Sequence, residues 1–116
     1  MDIKQLKNIT KRTRLDILEM AYKSKTGHIG SALSVVEILT VLYFKIMNIS
    51  LKNLGNKKRD VFILSNGHTV AALYSILCQK KIINRTILKT YCQNGSLIGG
   101  HPTFGRIPGI ETTTGS

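Results

Sequence analysis

Every histidine of this chain follows a glycine: Gly27-His28, Gly67-His68 and Gly100-His101. Glycine lets the backbone adopt positive φ or come close to a ligand. Imidazole titrates near neutrality and can donate or accept a proton. Three imidazoles carried on bare backbone are therefore candidates for proton shuttling and for binding anionic oxygens. The competing reading is that each glycine ends a segment and each histidine is a solvated loop residue. The pair at Gly67-His68 is the most informative, because Ser65-Asn66-Gly67-His68 interrupts two apolar stretches within DVFILSNGHTV, residues 60–70.

The elements that must position these groups can be read on either side of them. From Ile3 to about Lys25 the apolar residues Leu6, Ile9, Ile17, Met20 and Ala21 recur near helical spacing among basic residues, which predicts a surface helix with one buried stripe. Gly27 and Gly30 break it. Ser34-Val35-Val36-Glu37 then reads as a capping box. The helix it would start carries Ile38, Leu39, Leu42, Tyr43, Ile46 and Met47 on an apolar face wide enough to be largely buried.

After a polar loop around residues 53–59, Val61-Phe62-Ile63-Leu64 is a continuous apolar run suited to a strand covered on both faces, as in a parallel α/β sheet. Helical spacing returns from Thr69 to Gln79, and a short helix is expected from Thr86 to about Tyr91. Residues 95–116 hold much of the glycine and both prolines, and read as extended loop. In open α/β sheets ligands bind beyond the carboxyl ends of strands, where the next helix offers amides and a positive dipole end to anions. His68 falls at that point. A single buried-type strand cannot make a sheet, so the chain is expected to be an incomplete part of a domain.

Composition narrows the function. The chain has 116 residues, 42% hydrophobic, enough for a core of ordinary size and too apolar for a disordered chain. The amino terminus lacks the continuous apolar run of a signal peptide, and no stretch approaches a membrane span, so a cytoplasmic protein is expected. The formal charge of +11 raises nucleic acid as a partner. Yet the basic residues are spread out, with Lys57-Lys58-Arg59 the densest cluster, and no nucleic-acid-binding signature is present. No specific nucleic acid is expected. Cys78 and Cys92 make neither a Cys-x-x-Cys pair nor a zinc pattern, and read as free thiols. Asp2, Asp16, Glu19, Glu37, Asp60 and Glu111 form no metal-binding pair by spacing.

Four linked stretches also carry a resemblance: GHIGSALS at 27–34 with Glu37-Ile38-Leu39, RDVFILSNGH at 59–68, Gly100-His101-Pro102, and PGIETTTGS at 108–116. Together they resemble the opening of transketolase, above all the amino-terminal subunit of split transketolases. The resemblance implies an α/β class chain, mostly helical in this segment with one buried-type strand, whose residues 1–116 form an incomplete amino-terminal part of a pyrophosphate-binding domain, with transfer of a two-carbon ketol unit between sugar phosphates on thiamine diphosphate. It implies a partner, either the remainder of the enzyme or a paired subunit, in a homodimer or an assembly of paired subunits. By resemblance His68, with Gly67, contacts the cofactor diphosphate, His28 and His101 face the reacting carbons and substrate hydroxyls, and Gly115 meets the aminopyrimidine. The family's Gly-Asp-Gly metal motif has no counterpart here, so magnesium ligands are expected elsewhere. Deoxyxylulose-phosphate synthase is the nearest enzyme alternative, and Ser65-Asn66-Gly67-His68 favours transketolase. An inactive truncated fragment is a further alternative.

Overall fold

The computed structural model describes residues 1–27 and 29–114. Helix α1 spans Ile3–Ser24 and is closed at its start by a reciprocal cap: the Gln5 amide donates to Asp2 Oδ1, and the Asp2 amide donates to Gln5 Oε1, both at 2.9 Å. It ends at Lys25, which turns left-handed with φ +56°. Ile17, Met20 and Ala21 face the core, as their spacing predicts.

Helices α2 (Ile29–Ser34) and α3 (Val36–Val41) follow with one residue between them, and α3 passes into a π turn over Leu42–Ile46. This arrangement overturns the expected capping box. Ser34 is the last residue of α2 and its hydroxyl donates to the Ser31 carbonyl at 2.6 Å. The near-continuity of the two helices leaves no open turn for that hydroxyl to cap, and Val35 occupies the cap position without a side-chain bond. Glu37 instead pairs with Arg14 of α1. The expected apolar face is also narrower. Leu39 and Tyr43 are buried, whereas Ile38 and Ile46 stand exposed at 60% and 66%.

The largest correction concerns the strand. The segment is mostly helical, as expected, but among the described residues there is no strand. Residues 61–66 run without regular structure because a strand exists only with a ladder partner, and no other described segment pairs with them to supply one. Nor are both faces covered: Phe62 and Leu64 turn inward, whereas Val61 and Ile63 are exposed at 55% and 60%.

Beyond this segment a 3₁₀ turn, Gly67–Thr69, leads into α4, Val70–Gln79. Every residue of α4 from Val70 to Cys78 is buried. A helix apolar on all sides is stable only when surrounded, and α1, α2, α3 and the 3₁₀ segment Arg85–Thr90 pack around this one. Cys78 is a buried free thiol, and burial pushes its pKa up to about 11, with Arg85 opposing and Asp16 reinforcing the shift.

Polar stitching fixes these helices in register. Asp16 of α1 is buried and accepts from Ser75 of α4 at 2.6 Å, from Arg85 at 2.9 Å and from Arg12 at 3.1 Å. Gln79 adds a bond to Thr13 Oγ1 at 2.8 Å. Each buried polar group on this seam has a partner, which is the condition for burying it without a large penalty.

Candidate functional site

The carboxyl end of the 61–66 segment delivers Gly67 and His68 to the start of α4. Thr69 is fully buried and closes the turn, its amide and hydroxyl both donating to the Asn66 carbonyl at 3.1 and 2.7 Å. That pair of bonds fixes the direction in which the residues before it leave the helix.

Two distant segments converge on Gly67. A Cβ built there would lie 2.6 Å from Thr114 Oγ1, closer than real side chains come, and 3.0 Å from His101 Nδ1, a tight contact. Gly67 is therefore glycine because the backbone must let Thr114 and His101 approach. The His68 and His101 rings meet edge to face, with centroids 4.7 Å apart and planes at 74°. Although His68 and His101 are 33 positions apart in sequence, the fold makes them neighbours.

The polar atoms of this cluster carry the clearest chemical signal. His101 Nδ1 and Thr114 Oγ1 are buried and have no hydrogen-bond partner. A buried donor or acceptor left unsatisfied costs about 1–3 kcal/mol, so two of them side by side against a bare glycine mark a place where a ligand would complete the bonding. One hydroxyl and two imidazoles can together donate to phosphate or sugar oxygens and can move a proton.

The three glycine-histidine pairs thus differ. Gly67 is required by close approach, whereas a Cβ on Gly27 would meet nothing within 4 Å and one on Gly100 only Cys92 Sγ at 3.8 Å. His28 and Gly115 lie outside the described residues. Thr114 is a site residue that its sequence context, a run of three threonines, did not single out.

The loop that brings Thr114 in has its own anchors. Gly109 turns at φ +90° with Leu77 Cδ2 2.8 Å from where a Cβ would be, so the chain crosses α4 at a point only glycine can occupy. Ile110 is buried beside it. Glu111 then meets Arg59 at 3.0 Å, both side chains about 15% exposed.

Comparison with known proteins accords with this geometry. Residues 5–116 match the family described as transketolase, thiamine diphosphate binding domain. The chain belongs to that family. It is 41% identical over its full length to one of the subunits of the apulose-4-phosphate transketolase of Phocaeicola vulgatus, of which it covers 41%. It is 34% identical over its full length to a 6-deoxy-6-sulfo-D-fructose transketolase subunit of a Clostridium species, again covering 41%, and 36% identical to the transketolase of Bacillus subtilis, covering 99% of this chain and 17% of that one. Among solved structures, transketolase from Leishmania mexicana superposes with a TM-score of 0.84 at 28% identity, covering 95% of this chain and 17% of that chain. The chain thus spans about two-fifths of the length of the subunit relatives it matches.

Proposed function

We propose that this chain supplies one wall of the thiamine diphosphate site of a transketolase that transfers a two-carbon ketol unit between sugar phosphates. The observation that carries the reading is the pair of orphaned buried atoms, His101 Nδ1 and Thr114 Oγ1, set against Gly67 beside His68. These donors suit an oxygen-rich ligand, and the cofactor of the family is one. His68 and the backbone at Gly67 bind the diphosphate at the start of α4, where the helix dipole favours anions. His101, with His28, holds substrate hydroxyls and exchanges protons with them, and the backbone at Gly115 meets the aminopyrimidine. When bound, thiamine diphosphate supplies the nucleophilic carbon and the electron sink that cleavage beside a ketone requires.

The same proposal makes this chain one part of a larger cytoplasmic assembly. Among the described residues the backbone of residues 61–65 has no backbone partner, and with the exposed Val61 and Ile63 it forms a surface that a neighbouring strand would cover. Two relatives are named as transketolase subunits, which supports a partner that brings the magnesium ligands and the rest of the cofactor site. The test is to combine the chain with that remainder, thiamine diphosphate and magnesium, and to assay transfer from a ketose phosphate to an aldose phosphate. Apulose 4-phosphate and 6-deoxy-6-sulfofructose are added as trial donors. Transfer that depends on both the chain and the cofactor is expected; its absence with every donor overturns the reading.

A further inference from the structure

The segment that brings Thr114 to Gly67 is held by few bonds. Among the described residues, no backbone-backbone hydrogen bond fastens residues 110–114 to the rest of the chain. Beyond buried Ile110, the tethers are Thr113 Oγ1, which accepts from the Phe104 amide at 2.8 Å, and the Arg59–Glu111 ion pair. Phe104 is itself in an exposed turn. The ion pair is the firmer of the two, because Arg59 is locked at its other nitrogens: Nε donates to the Leu54 carbonyl at 2.7 Å and Nη1 to the Asp60 carbonyl at 3.1 Å. A guanidinium so bonded is a fixed post. Its Nη2 reaches both oxygens of Glu111, each at 3.0 Å.

The two segments joined at this post both run on to the site. From Arg59 the chain passes through residues 61–66 to Gly67, and from Glu111 it is three positions to Thr114. Three extended residues span only about 10 Å, so where Glu111 sits largely fixes where Thr114 can reach. The Arg14–Glu37 pair, by contrast, is exposed at 43% and 56% and lies on helices that have other means of support.

We propose that Arg59 and Glu111 are positioning residues, an ion-pair clamp that holds Thr114 in register with Gly67 and His101 and so sets the shape of the ligand site without touching the ligand. The identity of that ligand rests on the function proposed above; the clamp itself does not.

The experiment uses the assembled enzyme with the chain selectively methyl-labelled. It compares Glu111→Gln, Arg59→Lys, the exchanged pair R59E/E111R, and the control Glu37→Gln. Three quantities are read: nuclear Overhauser contacts from the Thr114 methyl to Gly67 and the His101 ring, hydrogen exchange of the Phe104 amide, and thiamine diphosphate affinity by calorimetry. Expected for Glu111→Gln and for Arg59→Lys are loss of the Thr114 contacts, Phe104 exchange at least tenfold faster, and at least tenfold weaker cofactor binding. The exchanged pair recovers part of all three, whereas Glu37→Gln leaves them unchanged. Thr114 contacts that persist in both single variants, or effects equalled by Glu37→Gln, overturn the clamp. Failure of the unaltered assembly to bind thiamine diphosphate overturns the proposed function instead, and the methyl contacts and Phe104 exchange still decide the clamp.

Discussion

The contact at Gly67 is a matter of tenths of an ångström, so single residues test it sharply. Gly67→Ala puts a methyl 2.6 Å from Thr114 Oγ1, and the methyl and the hydroxyl cannot both stay. Displacing Thr114 and His101 should weaken cofactor binding at least tenfold while the helical content, read by circular dichroism, is kept. The two histidines should separate by role. In the role proposed above, His68→Ala takes away a charge-assisted hydrogen bond to the diphosphate, about 1.5–3 kcal/mol, so excess cofactor should restore much of the rate. In its proposed role His101 acts on substrate, so His101→Ala should cost on the order of 10²–10⁴ in rate, and no cofactor concentration should restore it. A cofactor titration of ketol transfer reads both, through the half-saturation point and the plateau. A lowered plateau alone for His68→Ala, or a shifted midpoint alone for His101→Ala, would reverse the assignment.

At the level of elements, the site depends on α4 keeping its place, and α4 is held by apolar packing on all sides plus one polar seam. Asp16 is the centre of that seam. Its two arginines are nearly half exposed and can return to water, so the loss on Asp16→Ala falls mainly on the buried Ser75 hydroxyl and the packing around it. Urea unfolding should show about 2 kcal/mol of destabilisation; a change below about 0.5 kcal/mol would mean that the seam is ornamental. Burial also sets an alkaline limit on this packing. It raises the pKa of Cys78 to about 11 and of Tyr91 to about 12, and it raises Tyr43 and Tyr74 as well. Unfolded, these groups lose their protons at ordinary values near 9 and 10. The folded chain therefore binds more protons than the unfolded one above pH 9, and stability must fall as pH rises from there. Urea midpoints measured between pH 8 and 11 should decline, and a flat profile would contradict the burial of these side chains.

For the whole molecule, the proposed function implies that this chain holds only part of the cofactor contacts. His101 and Thr114 offer donors, but no group of three or more His, Cys, Asp or Glu side chains converges among the described residues to hold magnesium. The isolated chain is accordingly expected to show no saturable heat with thiamine diphosphate and magnesium, and addition of the partner should create it. Micromolar binding by the chain alone would mean that the site is already whole. Part of the formal charge of +11 is carried by Lys4, Lys7 and Lys11 of α1, which stand exposed to solvent.

Local pattern by itself determined a good deal. The stripe of Ile17, Met20 and Ala21 specified α1, the spacing from Thr69 to Gln79 specified a helix, and Gly67-His68 marked the turn before it, because periodicity and turn chemistry act within a few residues. The four motifs at 27–34, 59–68, 100–102 and 108–116 were enough to indicate the family. Other features were settled only by packing. Ser34 looks like a cap in sequence, but the course of the preceding helix denies it the role. Residues 61–64 have strand composition, but pairing is a property of neighbours, and no described segment pairs with them. The meeting of His68 with His101, the approach of Thr114 to Gly67 and the Arg59–Glu111 pair join residues 33 to 52 positions apart. No spacing rule reaches that far, so the shape of the site belongs to the tertiary structure: contacts between segments depend on how the helices pack, and that is decided by the whole core at once.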